Sequence, residues 1–82
     1  MSDWFVYIIQ CEDGTLYTGI TTDTDRRLAE HQAGTASKYT RAHGAEKMVY
    51  TEAAEDRSKA SKREAEIKQL TRKEKEDIIK TA

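Results

Sequence analysis

The sequence predicts a small α+β domain, a three-stranded antiparallel sheet flanked by helices in the order ββα-loop-βαα. Two observations carry this prediction. Strand-forming residues surround a turn signal in residues 3–21, and the pattern is helical from about residue 56 onward. A length of 82 residues allows one domain with a small core.

Three segments have the composition of β-strands. Residues 3–11 are apolar on both alternations, which is typical of a strand covered on both faces. Residues 12–15 form a hairpin signal because Asp13-Gly14 can supply a positive φ, so residues 16–21 are predicted to be the partner strand. Residues 48–52 are predicted to be a short third strand.

Capping patterns place three helices. Residues 22–25 have capping-box spacing and Gly34 is a suitable stop, which predicts a helix over 24–33. Residues 35–47 show no clean period and are predicted to be a long, basic loop. Thr71 and Glu74 repeat the capping-box spacing, so the last third of the chain divides into helices of about 56–69 and 72–80.

The composition excludes several classes of protein. The longest apolar stretch, residues 4–9, is too short to span a membrane and lacks the basic flank and cleavage site of a signal peptide. A single cysteine, Cys11, cannot form an internal disulfide, and no Cys/His cluster has zinc spacing. These features indicate a small cytoplasmic protein without a structural metal.

The charge is distributed unevenly along the chain. Residues 1–25 hold five acidic residues and no Lys or Arg, whereas residues 57–75 hold eight basic residues and three acidic ones. A domain built in this way has a basic side that suits a polyanion such as nucleic acid. The alternative is a solvated helix face with internal salt bridges.

Glu64 breaks the pattern of its helix. It falls on the same helical face as Ala60 and Ile67, which is the stripe expected to face the core. A carboxylate placed there needs a cation, several donors or a metal as its partner. The alternative is an i,i+4 pair with Lys68 at the edge of the core.

Four further residues have side chains suited to catalysis. Arg27 and His31 are one helical turn apart; an arginine can clamp a phosphate, and a histidine can move a proton near neutral pH. Tyr7 and Tyr17 lie on the two strands of the hairpin, and Gly19 indicates the close approach of another group or a bulge. Each residue also has an ordinary interpretation, as a solvated polar group or as a core tyrosine with an exposed hydroxyl.

Taken together, these residues form one ordered set of motifs. The set comprises Val6-Tyr7-Ile8, Tyr17-Thr18-Gly19, Arg27-Leu-Ala-Glu-His31 and Glu64 within Arg-Glu-Ala-Glu-Ile-Lys. It resembles the GIY-YIG nuclease superfamily over about residues 4–79, and most closely its small, single-domain bacterial YhbQ-like branch. The loop containing Lys38-Tyr39-Thr40-Arg41 and residues 66–72 support that branch. The resemblance implies one nuclease domain over residues 1–82.

The resemblance also implies a metal-dependent endonuclease that hydrolyses DNA with structure rather than sequence preference, as DNA repair would require. Tyr7, Tyr17, Arg27 and His31 would be catalytic, and Glu64 would hold one Mg²⁺ or Mn²⁺ ion that binds weakly without substrate. In this interpretation Tyr7 takes the proton from the attacking water, with Tyr17 close by. Arg27 binds the non-bridging oxygens, and His31 orients the tyrosine or relays its proton.

Five residues are expected to bind the nucleic acid, which is DNA, with RNA left open: Lys38, Tyr39, Arg41, Lys68 and Arg72. The alternative function is a non-catalytic nucleic-acid-binding module, or a nuclease subunit that needs a protein partner to supply substrate specificity. A plain protein-interaction domain would give no reason for Glu64 in the apolar stripe.

The two tyrosines can share a site only if the hairpin has the right parity. A two-residue Asp13-Gly14 loop would place Tyr7 and Tyr17 on opposite faces of the sheet. A shared site therefore requires an odd loop or a bulge, most simply with Gly14 in the left-handed conformation.

Overall fold

The computed structural model describes residues 3–82, which confirm the α+β class with the order ββααβαα. The strands are β1 (Trp4–Cys11), β2 (Leu16–Thr21) and β3 (Ala45–Ala54). The helices are α1 (Thr24–Gln32), α2 (Lys38–His43), α3 (Arg57–Lys68) and α4 (Arg72–Thr81). None of these helices is both long and apolar enough to cross a bilayer.

Strand β1 lies in the centre of the antiparallel sheet, whose order is β2-β1-β3. Val6, Tyr7, Ile8 and Ile9 in this strand are each at most 1% exposed. This burial confirms that β1 is covered on both faces, as its two apolar alternations predict.

The two faces of the sheet have different coverings. Val6 and Ile8 form one buried cluster with Ala60 and Ile67 of α3, and residues of α4 pack around that cluster. Tyr7, Ile9 and Cys11 form the second cluster on the opposite face, where Leu28 of α1 packs against them. The domain is therefore a sheet between two helical layers.

The hairpin between β1 and β2 has a three-residue turn, residues 12–14. The amide of Cys11 donates to the carbonyl of Thr15 at 2.8 Å, and Gly14 has a φ of +85°. Tyr17 is then paired with Ile9, and Gly19 with Tyr7. Because this register places Tyr7 and Tyr17 on the same face, the odd loop required for a shared site is confirmed.

The segment predicted as a long loop contains a short helix, α2. The Ser37 hydroxyl caps this helix by accepting a hydrogen bond from the amide of Thr40 at 3.1 Å. The loop interpretation of residues 38–43 was therefore wrong. The helix could not be recognised in the sequence because six residues are too few to show a helical period.

Some element ends also differ from the prediction. Strand β3 is longer than residues 48–52, because it follows β1 past two irregularities in the register. The N-cap of α1 is Asp23, whose carboxylate accepts from the amide of Arg26, rather than Thr22. The capping box of Thr71 and Glu74 is present as predicted.

Candidate active site

Tyr7 lies at the centre of a cluster of candidate catalytic residues. Its side chain is 1% exposed and crosses over Gly19 of the neighbouring strand, where any β-carbon would overlap the tyrosine hydroxyl. Gly19 is therefore required for this close approach, as its place in the strand suggests. The hydroxyl is directed towards β2, which is an edge strand of the sheet.

His31 connects Tyr7 to the helical layer. The histidine is 1% exposed, and its Nε2 lies 2.7 Å from the Tyr7 hydroxyl. Its Nδ1 lies 2.7 Å from Oγ1 of Thr40, which is itself 2.8 Å from Oγ of Ser37. One chain of hydrogen bonds thus runs from the sheet through α1 to the cap of α2.

Aromatic rings surround this chain. Tyr17 meets His31 edge-on with ring centroids 5.1 Å apart, and its other neighbour is Tyr39 at 5.6 Å. Tyr39 also stacks on His43 at 4.2 Å. Tyr17 therefore packs beside His31 within the site, and the aromatic contacts continue to Tyr39, which is exposed at the surface.

Burial and the charge of Arg27 have opposite effects on Tyr7. Burial raises the pKa of Tyr7, and the adjacent Arg27 guanidinium partly offsets this effect. Arg27 forms an ion pair with Glu30 at 3.2 Å, but its buried Nε forms no hydrogen bond within residues 3–82. Tyr7 is therefore a neutral phenol at neutral pH, and a permanent cation lies beside its oxygen.

His31 is neutral at physiological pH. Burial, together with the nearby positive charge of Arg27, lowers the pKa of His31 to about 4. A neutral imidazole has one donor and one acceptor nitrogen. His31 can therefore exchange protons with Tyr7 on one side and with Thr40 on the other.

Glu64 lies on α3, in the helical layer on the other face of the sheet. It forms an ion pair with Lys68 at 3.3 Å, which is the alternative that its spacing allowed. The Glu64 side chain is 22% exposed, so it lies at the edge of the core rather than inside it. After burial and the charges of Arg27 and Tyr17, the negative charge of Glu64 makes a smaller contribution that raises the pKa of Tyr7.

Glu64 is suited to a weakly held metal ion. Within residues 3–82, no three His, Cys, Asp or Glu side chains are grouped to hold a cation by themselves. Mg²⁺, however, commonly takes one or two carboxylates and completes its shell with water and substrate phosphate. A single accessible carboxylate fits that mode of binding, and Glu64 would be the ligand.

The five residues expected to bind nucleic acid fall into two groups. Lys38, Tyr39 and Arg41 are exposed on α2, where Lys38 and Arg41 line a polar cavity of about 250 Å³ together with residues 34–37. Lys68 is paired with Glu64, whereas Arg72 donates to the Gly14 carbonyl at 2.7 Å. Arg72 thus connects α4 to the hairpin, and the residues of both groups are exposed.

Sequence reasoning missed two features of the site. Ser37 and Thr40 were predicted only as members of the basic loop, without a functional role. The Ser-x-x-Thr spacing is nevertheless a capping signal. The hydrogen bond between Asp13 and His43 was also missed; it links the hairpin turn to α2, and it helps to lower the pKa of Asp13 to about 2. No local pattern could have found a contact between residues 30 positions apart.

Comparison with known proteins agrees with this geometry. The family model described as the GIY-YIG catalytic domain matches residues 3–77, and the chain belongs to this family. Membership of this family of catalytic domains indicates a nuclease acting on phosphodiester bonds.

The similar proteins carry the designation UPF0213. UPF0213 protein DP2720 of Desulfotalea psychrophila is 51% identical over 96% of this chain and 73% of its own length. UPF0213 protein YhbQ of Escherichia coli is 43% identical over 96% of this chain and 79% of its own. The solution NMR structure of protein EF2693 from E. faecalis has a TM-score of 0.62 and 45% identity, covering 99% of this chain and 90% of that one. These names state no activity.

Proposed function

We propose that this protein is a metal-dependent endonuclease that cleaves DNA according to its structure rather than its sequence. The observation that supports this most strongly is the contact of Tyr7 with His31 and Arg27. A buried phenol is hydrogen-bonded to a neutral imidazole at 2.7 Å and lies beside a guanidinium. This arrangement provides a proton acceptor and a phosphate-binding cation at one point.

The raised pKa of Tyr7 favours a concerted proton transfer. Tyr7 is not a phenolate at neutral pH before the reaction begins, because burial raises the pKa of Tyr7 above its ordinary value. Tyr7 can nevertheless accept a proton from the attacking water while its own proton passes to Nε2 of His31. Tyr7 stays neutral, and the negative charge develops on the phosphate only during the reaction. Arg27 lies next to this charge and binds the non-bridging phosphate oxygens.

Glu64 would be the protein ligand of a bound Mg²⁺ or Mn²⁺ ion. When bound, such an ion supplies positive charge to the phosphate and to the departing oxygen. The carboxylate is accessible and its Lys68 partner is 53% exposed, so Lys68 can move aside when a cation binds.

Lys38, Arg41 and Tyr39 support the proposed substrate class. The two cations line one polar cavity and suit backbone phosphates, which carry no sequence information. Tyr39 is 38% exposed and can stack on an unpaired base. This combination favours DNA with single-stranded character, such as branched or flapped structures.

Cleavage assays on branched, single-stranded and supercoiled DNA with Mg²⁺ or Mn²⁺ test the proposal. The wild-type protein should cut at least one substrate only when metal is present. Glu64→Gln keeps the shape of the side chain but removes its charge, so cleavage should be lost while DNA binding survives. Lys68→Met breaks the same ion pair and leaves the carboxylate in place, so metal-dependent cleavage should survive at saturating protein even where the loss of the Lys68 charge weakens DNA binding.

Thermal melts separate the metal-binding role of Glu64 from a structural role. The exposed ion pair is worth about 0–1 kcal/mol, so both variants should melt close to the wild type. A destabilised Glu64→Gln protein that still cuts DNA would contradict the metal-ligand role. A wild-type protein that binds every substrate and cuts none would favour the non-catalytic module.

A further inference from the structure

Thr40 makes a contact that the proposed catalytic set leaves unexplained. It is 1% exposed, and its hydroxyl lies 2.7 Å from Nδ1 of His31. We propose that Thr40 is a positioning residue that holds His31 in the tautomer with its proton on Nδ1, leaving Nε2 free to accept the Tyr7 proton. Its importance for catalysis rests on the proposed nuclease function, but the tautomer itself does not.

The donors around Tyr7 favour this tautomer. Tyr7 is 1% exposed, and within residues 3–82 its hydroxyl has one hydrogen-bond partner, Nε2 of His31. If Nε2 carried the proton, it would donate to the Tyr7 oxygen, and the buried Tyr7 proton would lack an acceptor. With the proton on Nδ1, Nε2 is an acceptor and the Tyr7 hydroxyl donates to it, so the Tyr7 proton has a hydrogen-bond partner.

The remaining hydrogen bonds agree in direction. With the proton on Nδ1, His31 donates to Oγ1 of Thr40, and the Thr40 hydroxyl is then free to donate to Oγ of Ser37, which lies 2.8 Å away. The Ser37 oxygen has two lone pairs, and its second one accepts the amide proton of Thr40 at 3.1 Å. Ser37 lines the polar cavity, where its own proton can reach solvent.

This chain of hydrogen bonds gives α2 a structural role. The helix has only six residues, and its N-cap and Thr40 are both members of the hydrogen-bonded chain. Removing the Thr40 hydroxyl would leave a protonated Nδ1 as a buried donor without an acceptor. A proton on Nε2 would instead leave the Tyr7 proton unpaired. Each tautomer then has one unpaired donor, so the proton should no longer be confined to Nδ1.

Long-range ¹H–¹⁵N NMR of the imidazole nitrogens reports the tautomer directly. Wild-type protein should show the proton of His31 on Nδ1. Thr40→Val, which keeps the shape without the hydroxyl, should place a measurable fraction of the proton on Nε2, and Thr40→Ser should keep the wild-type tautomer. Thr18→Val is the matched control, because Thr18 is 3% exposed and lies on the opposite face of the sheet.

The outcomes separate this inference from the proposed function. A proton on Nε2 in the wild type, or an unchanged tautomer in Thr40→Val, would overturn the inference. If Thr40→Val fails to fold, the wild-type and Thr40→Ser spectra still decide it. Cleavage should fall by about tenfold to a hundredfold in Thr40→Val and little in Thr18→Val. The expected tautomers in a wild-type protein that cuts nothing would support the inference while the nuclease proposal failed.

Discussion

The two faces of the sheet bury different kinds of side chain. On the face covered by α3, the buried cluster is aliphatic: Val6, Ile8, Ala60 and Ile67 are all 0% exposed. The face covered by α1 buries polar groups as well, including His31 and Thr40 at 1% exposure. Aliphatic burial stabilises the fold without further conditions, whereas each buried polar group needs a hydrogen-bond partner. The aliphatic core thus lies in one layer, and the hydrogen-bonded cluster of Tyr7, His31 and Thr40 lies in the other.

The largest loss of stability should come from the aliphatic face. Ile67→Ala removes a fully buried side chain against β1 and should lower the free energy of unfolding by about 2–5 kcal/mol in urea denaturation. Ile78→Ala, at a partly buried position of the same layer, should cost less. If Ile67→Ala and Ile78→Ala lowered the free energy of unfolding equally, the aliphatic core would extend fully to α4, contrary to this comparison.

The polar face should make stability depend on pH. The pKa of His31 is about 4 in the folded protein and about 6.5 when unfolded, so the unfolded state binds more protons between these values. The contribution is complete above about pH 6.5 and is lost as the pH falls towards 4, by up to about 3 kcal/mol.

Urea denaturation at several pH values measures this loss. The slope should disappear in His31→Gln and persist in His43→Gln, because His43 is partly exposed at the hairpin turn. A slope that survives the loss of His31 would assign the effect to another group and weaken the contrast between the two faces.

The smallest effect on stability should come from the exposed cations of α2. The double variant Lys38→Ala/Arg41→Ala should leave the unfolding curve unchanged, because both residues are exposed. It should reduce DNA affinity and lower the slope of log affinity against log salt by about 2. Lys47→Ala/Lys80→Ala removes the same charge elsewhere, and an equal change of slope there would place the DNA on a different surface.

Local signals were sufficient for most of the fold. The apolar alternations of β1 and the capping box at Thr71 depend on near neighbours in the chain, and both are confirmed. The odd parity of the hairpin was instead a requirement of a shared tyrosine site, and the register of β1 and β2 meets it. Helix α2 could not be predicted from periodicity, since its six residues span fewer than two turns. The ends of β3 depend on pairing with β1, which no local pattern encodes.

The candidate site was predictable in its members more than in its contacts. The motif spacing brought Tyr7, Tyr17, Arg27 and His31 together, as the structure places them. The helical face of Glu64 was correct in direction, but spacing could not decide how far Lys68 would hold its carboxylate at the rim. The roles of these residues in catalysis stay predictions.

The three-residue turn of the hairpin constrains how this chain can change in length. Because strand side chains alternate, inserting or deleting one residue in 12–14 would rotate all of β2 by half a period. Tyr17 and Gly19 would then leave the face that holds Tyr7, and Ile20 would leave the aliphatic cluster. Two inserted residues would restore both. The turn therefore sets which face of the sheet each residue of β2 occupies, so a change in its length that is not offset by a bulge must be even to keep Tyr17 beside Tyr7.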